Sequence, residues 1–205
     1  MFDVKYNDMK RLTLYHGTDA RTIKMSKEAR KAYLEGCNQV IDTLFPLFGS
    51  VSPYKVADLG LEFYQILLMI QQRNNKSEFF QYNVLSLTNS YDRAVDYARH
   101  SFAGCELGAI AYFLIKQCET RFPGKLKQYD KINTACNSII KIAEEEKQCP
   151  VIITINDVDP NFLVFESGVA IDDESIKTIT EQTFETSFKY KKEIDLNQYE
   201  IKYLD

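Results

Sequence analysis

The chain has 205 residues, 45% of them hydrophobic and 13% aromatic, which is ample for one independent core and too apolar for a disordered segment. A net charge of −4 argues against the broad basic face that non-specific duplex binding requires. Five scattered cysteines without a Cys-x-x-Cys pair, and only two histidines, argue against a disulfide framework and against a zinc or other metal site, so the thiols are expected to be reduced and mostly buried. The opening MFDVKYNDMKR carries no apolar run beside a basic flank, and the longest apolar stretch, FYQILLMI, is far too short for a bilayer. The expectation is a cytoplasmic protein with no membrane partner.

In chain order, Leu12–Tyr15 alternates with β-favouring residues and reads as a strand ending in a loop at Gly17. Ser26 to Leu44 is rich in Lys, Glu, Ala and Leu and predicts a helix. Ser52-Pro53 opens another, whose Val56, Leu59, Phe63, Ile66, Leu67 and Ile70 recur at helical spacing. Phe79 to Thr88 reads as a second strand, stopped by Asn89-Ser90, which caps the helix YDRAVDYARHS. GAIAYFLIKQC predicts the next helix, and Leu126 to Lys147 a further one. The final third changes character: VIITIND, FLVFES, IKTITEQTF and YEIKYL all read as strands. Strands flanking a helical middle, without regular βα alternation, predict an α+β fold and a single domain over 1–205, with helical elaborations at about 26–76 and 126–147. No phosphate-binding glycine loop of the Rossmann or P-loop type is present. The basic clusters KMSKEARK, KLKQYDK and KYKK read as solvated faces, although a local nucleic-acid contact stays open.

Two stretches carry chemistry. Tyr15-His16-Gly17-Thr18 sets an imidazole where the first strand runs out, beside a glycine that lets backbone approach a ligand. Such a histidine serves either to close a turn or to face a cleft. In VLSLTNSYDRAVDYA, Ser86 and Thr88 share one strand face, because side chains alternate with period two. The helix after them shows an apolar stripe of Tyr91, Ala94, Val95 and Ala98.

Together these stretches resemble the ADP-ribosyltransferase superfamily. Leu14–Thr18 is similar to its first-strand element, Leu85–Ala98 to its second strand and following helix, and the strand-rich final third to the second half of its split β-sheet core. The resemblance implies an enzyme of the His-x-Glu branch, with Ser86 in the middle position, that takes NAD as substrate, releases nicotinamide and transfers ADP-ribose to a macromolecule, protein or nucleic acid. It implies no metal. A cytosolic toxin of a toxin–antitoxin system, an antiviral defence factor or an effector would fit, with an antitoxin or regulatory protein as partner.

The implied pocket comprises Tyr15, His16, Gly17, Thr18, Ser86 and Thr88. His16 would bond the nicotinamide-side ribose, and the Gly17 backbone would hold the nicotinamide amide. Tyr91 or Tyr97 would supply the stacking ring that Ser86 lacks, or else face the core. The family's third element is a glutamate at a late strand start, whose fixed charge steadies the positive charge developing on the ribose. Glu166 and Glu174 both offer it: the segment VAIDDESIKTI favours Glu166, while Glu174 directly heads a β-like run. Two alternatives stand beside this expectation: a non-catalytic interaction module that keeps the fold, and an NAD glycohydrolase with water as acceptor.

Overall fold

Polar caps fix where the helices begin. Ser26, Ser90 and Asp172 each accept a backbone N–H of the first turn with their side chains, the bond that satisfies an otherwise orphaned donor. The computed structural model describes residues 12–48, 70, 85–145, 147–165, 169–181, 185–192 and 194–205. In chain order these form β1 (Leu12–Asp19), the single turn α1 (Ala20–Ile23), α2 (Lys27–Leu44), β2 (Leu85–Thr88), α3 (Tyr91–His100) and α4 (Glu106–Arg121). Then follow α5 (Asn133–Ile140), β3 (Pro150–Val158), β4 (Leu163–Phe165), α6 (Asp173–Thr180), β5 (Ser187–Tyr190) and β6 (Glu200–Tyr203).

The six strands form one antiparallel sheet in the order β4-β5-β2-β1-β3-β6. Helices and an antiparallel sheet in this arrangement are the mixed architecture that the strand–helix–strand order predicts. β1 and β3 pair from Leu12↔Val158 to Asp19↔Pro150, whereas among the described residues β1 and β2 share the single pair Tyr15↔Thr88. The sheet is therefore tightly zipped on one side of β1 and barely joined on the other.

Alternation sorts the side chains onto two faces. Leu12 and Leu14 of β1, Leu87 of β2, Ile153 and Ile155 of β3 and Phe188 of β5 share one apolar core, against which Ile176 and Ile179 of α6 pack. The opposite face of β1 is covered by α3. A Cβ on Gly17 would lie 1.9 Å from the Ala94 carbonyl oxygen, so only glycine admits the helix backbone there. A second core is helical: Tyr33, Cys37, Val40, Ile41 and Leu44, the inward stripe of α2, pack against α4 and α5.

Four expectations change. β1 does not stop before Gly17 but runs on to Asp19, because Gly17 serves helix packing rather than a turn. IKTITEQTF is not a strand: its first residues lie in α6, where the Asp172 cap and the three-residue step from Ile176 to Ile179 outweigh β-branched propensity. The helix expected over 126–147 is broken into two 3₁₀ turns, α5 and a π-helical turn at Lys141–Glu145. KYKK is not wholly solvated, since Lys189 lies in β5 with only 2% of its surface exposed. The helix expected over 52–70 lies, apart from Ile70, outside the described residues, as do 79–84 of the second strand. All five cysteines are free thiols, three buried and two half-buried.

Candidate functional site

The site begins where β1 and β2 part. His16 lies on the core face of β1, in register with Ile153, and is half-buried. Its Nδ1 lies 2.8 Å from the backbone carbonyl oxygen of Ser86 on β2. A carbonyl only accepts, so Nδ1 carries the hydrogen. Packing around the ring and, to a lesser extent, the Arg30 guanidinium of α2 hold the imidazole pKa below 6.5, outweighing the bond to Ser86. The ring is therefore neutral near pH 7, with Nε2 bare. A neutral imidazole held in that tautomer is a hydrogen-bond acceptor for a hydroxyl.

Ser86 and Thr88 share the opposite face, toward α3, since Thr88 pairs with Tyr15 and Ser86 with Lys189. The Ser86 hydroxyl is thus on the other side of the sheet from the imidazole; only its backbone meets His16. Thr88 Oγ1 donates to the Thr186 carbonyl at 2.8 Å and receives the Ser90 N–H, fastening the end of β2 to the residue before β5. Thr18 is buried on the His16 face, in register with Val151. Gly17 presents its Cα to α3 and pairs with Ile152.

The tyrosines gather on the α3 face. Tyr15 and Tyr91 meet edge to face at 5.5 Å, and the Lys202 ammonium lies 5.0 Å from the Tyr91 ring centre. The Tyr97 hydroxyl receives the Arg93 Nε–H at 3.1 Å and lies 3.2 Å from Ser187 Oγ. Each ring has a packing role there, and the three are separated by the sheet from His16.

Of the two glutamates singled out by sequence, Glu174 is an exposed residue in the first turn of α6, so it heads a helix and not a strand. Glu166 lies outside the described residues. A described carboxylate that sequence reasoning did not single out is Glu185. It immediately precedes Thr186 and the strand β5, which is hydrogen-bonded to β2. Its Oε1 accepts the hydroxyl hydrogen of Ser90 at 2.9 Å, while Ser90 Oγ accepts the Arg93 N–H as the α3 cap. Glu185 is exposed. The available signal was positional: Glu185 heads the run TSFKY, but reading KYKK as a solvated basic cluster hid the strand.

Among the described residues no group of three or more His, Cys, Asp or Glu gathers to hold a metal ion, and no described helix is long and apolar enough to cross a membrane. Comparison with protein-family models, with curated proteins and with solved structures finds no match to this chain.

Proposed function

We propose that this chain is an NAD-dependent ADP-ribosyltransferase, with an ADP-ribosyltransferase-like split sheet, that modifies a macromolecule and releases nicotinamide. One observation carries the reading: two motifs 70 residues apart meet at the gap between β1 and β2, through the 2.8 Å bond from His16 to Ser86. The bond supports a histidine built to accept, since it fixes Nδ1 as the donor and turns Nε2 into the free acceptor. In this reading Nε2 receives a ribose hydroxyl. A glutamate sets its negative charge beside that sugar: Glu166, or Glu185, which is held at Oε1 by Ser90 on the α3 side of the sheet. NAD itself supplies the leaving nicotinamide and the ADP-ribose group. The acceptor is a protein or nucleic acid, and the role that of a cytosolic toxin, defence factor or effector under the control of a partner protein.

Radiolabelled NAD incubated with the protein and a cell lysate tests the proposal. Nicotinamide release and labelled macromolecule are expected. Glu185→Gln should lower the rate roughly a hundredfold or more, the size of a lost preorganised electrostatic contact. His16→Ala should abolish most activity, whereas His100→Ala and Glu174→Gln should stay near wild type. Loss in Glu166→Gln with full activity in Glu185→Gln would move the carboxylate role to Glu166. No release by the wild type sinks the proposal.

A second reading, a non-catalytic module that retains the fold, is favoured by the Ser86 hydroxyl facing α3: the motif contributes no ring on the His16 side. Stabilisation by NAD against heat with no nicotinamide release supports that reading. Free ADP-ribose as sole product instead identifies water as acceptor.

A further inference from the structure

We propose that the β6 edge of the sheet binds a second copy of this chain: two β6 strands pair antiparallel about a two-fold axis at Ile201, joining the two sheets into one. Self-pairing needs no NAD and stands or falls apart from the enzymatic reading.

The strand offers its outer side. β6 closes one end of the sheet, and among the described residues it pairs with β3 alone. The Leu204 N–H donates to the Pro150 carbonyl at 2.9 Å, in step with the pairs Val151↔Tyr203 and Thr154↔Glu200. Along an antiparallel strand, successive residues turn their N–H and C=O groups to opposite neighbours. Glu200, Lys202 and Leu204 therefore direct theirs to β3, while those of Ile201 and Tyr203 point out of the sheet. Such a row of backbone groups is a template for another strand.

Charge selects a copy of β6 itself as that strand. Residues that face each other across an antiparallel pair lie on the same face of the sheet, so a two-fold axis passes through a residue and not between two. An axis at Glu200 sets two glutamates opposite, an axis at Lys202 sets two lysines opposite, and an axis at Tyr203 runs past the end of the strand. An axis at Ile201 sets Glu200 against Lys202 of the second copy, twice. Like charges directly opposite are destabilising and unlike charges stabilising, which leaves the Ile201 register. Both residues are exposed on the α3 face, where the Lys202 ammonium stands 5.0 Å from the Tyr91 ring centre. A lysine on an edge ordinarily repels a second strand; a glutamate two residues before it makes the edge attract its own copy.

The other face agrees. Ile201 packs at the margin of the sheet core, and Tyr203, on the same side, is 53% exposed. The Ile201 axis sets isoleucine on isoleucine and covers the Tyr203 ring with Tyr199 of the second copy, a residue that also packs against that core. Ile201, whose N–H and C=O both point outward, then exchanges two backbone bonds with its counterpart.

Sedimentation equilibrium over a range of concentrations tests the pairing, with thermal unfolding as the check that each variant folds. The wild-type mass should rise to twice that of the chain. Glu200→Lys and Lys202→Glu should each raise the dissociation constant roughly tenfold or more, since each turns two attracting cross-strand pairs into two repelling ones. An equimolar mixture of the two variants should dimerise again, as should the double charge reversal, and either recovery shows that the single variants fold. Hydrogen exchange at the Ile201 and Tyr203 amides should slow as concentration rises. A wild type that stays monomeric at its highest soluble concentration overturns the proposal. So does a dimer indifferent to both charge variants, which places the interface elsewhere. Slow exchange of these two amides in a monomer also overturns it, because another segment of the same chain then holds the edge.

Discussion

At the scale of single residues, His16 is the informative one because its state is set from three directions. The Ser86 carbonyl fixes the tautomer, while packing and the Arg30 charge hold the pKa below 6.5. With only two histidines in the chain, the imidazole proton resonances give a direct reading, and the His100→Ala variant assigns them. The His16 signal should titrate below 6.5, and Arg30→Gln should move its midpoint upward by removing a repelling cation. An unmoved midpoint would remove the Arg30 charge from the causes of the shift. A stability consequence has the same origin. Below 6.5 the unfolded chain binds a proton that the folded ring resists, so this group's contribution to stability declines as pH falls from 6.5 toward the lowered folded value. Urea midpoints measured on either side of 6.5 should therefore fall more in the wild type than in His16→Asn.

At the scale of elements, the close contact between β1 and α3 sets what the first motif can tolerate. Gly17→Ala would drive a methyl group into the Ala94 carbonyl and the Ala98 amide of α3. The neighbour is backbone and cannot swing aside, so the substitution should cost at least the upper part of the ~1–3 kcal/mol typical of overpacking. Chemical denaturation measures it; a neutral result would mean that α3 does not sit on the strand at this point. The same contact explains what was legible in sequence and what was not. Helices with a strong cap and an apolar stripe, α2 after Ser26 and α3 after Ser90, were readable because cap and period agree locally. Gly17 read as a turn because its real cause lies in a helix some 80 residues further on, which no local pattern records. Ile176 and Ile179 look β-branched and strand-like, and only their burial beneath the sheet makes a helix the better solution. Lys189 is a long cationic chain taken into a strand, against the composition rule that marks lysine as surface. The two motif strands were legible, and they do pair in the sheet; the short β5, with Glu185 ahead of it, was not, because it was hidden among lysines.

At the scale of the whole molecule, the sheet core and the helical core must be joined. The joint is a buried ion pair at the end of β1. The Asp19 side chain is 0% exposed and that of Arg21 11%. The carboxylate accepts the Arg21 Nε–H at 2.8 Å, an Arg21 Nη2–H at 2.9 Å and the Cys149 N–H at 2.9 Å, where β3 is about to begin. The guanidinium in turn donates to the carbonyls of Ile142 and, at 2.6 Å, Phe102. Strand β1, the α3–α4 connection and the segment leading into β3 thus converge on two side chains. A pair this well bonded is costly to break from one side only, because the survivor is left charged and buried. Asp19→Ala and Arg21→Met should each destabilise the fold by about 3–5 kcal/mol. The double variant should lose distinctly less than the sum, since neither charge is then stranded. A double-mutant cycle by urea unfolding gives the coupling directly, and strict additivity would deny the joint. Because the joint lies three residues from His16, a folded Arg21→Met protein should also show a displaced His16 imidazole resonance and an unchanged one for His100, which tests whether the pose of the candidate site depends on the union of the two cores.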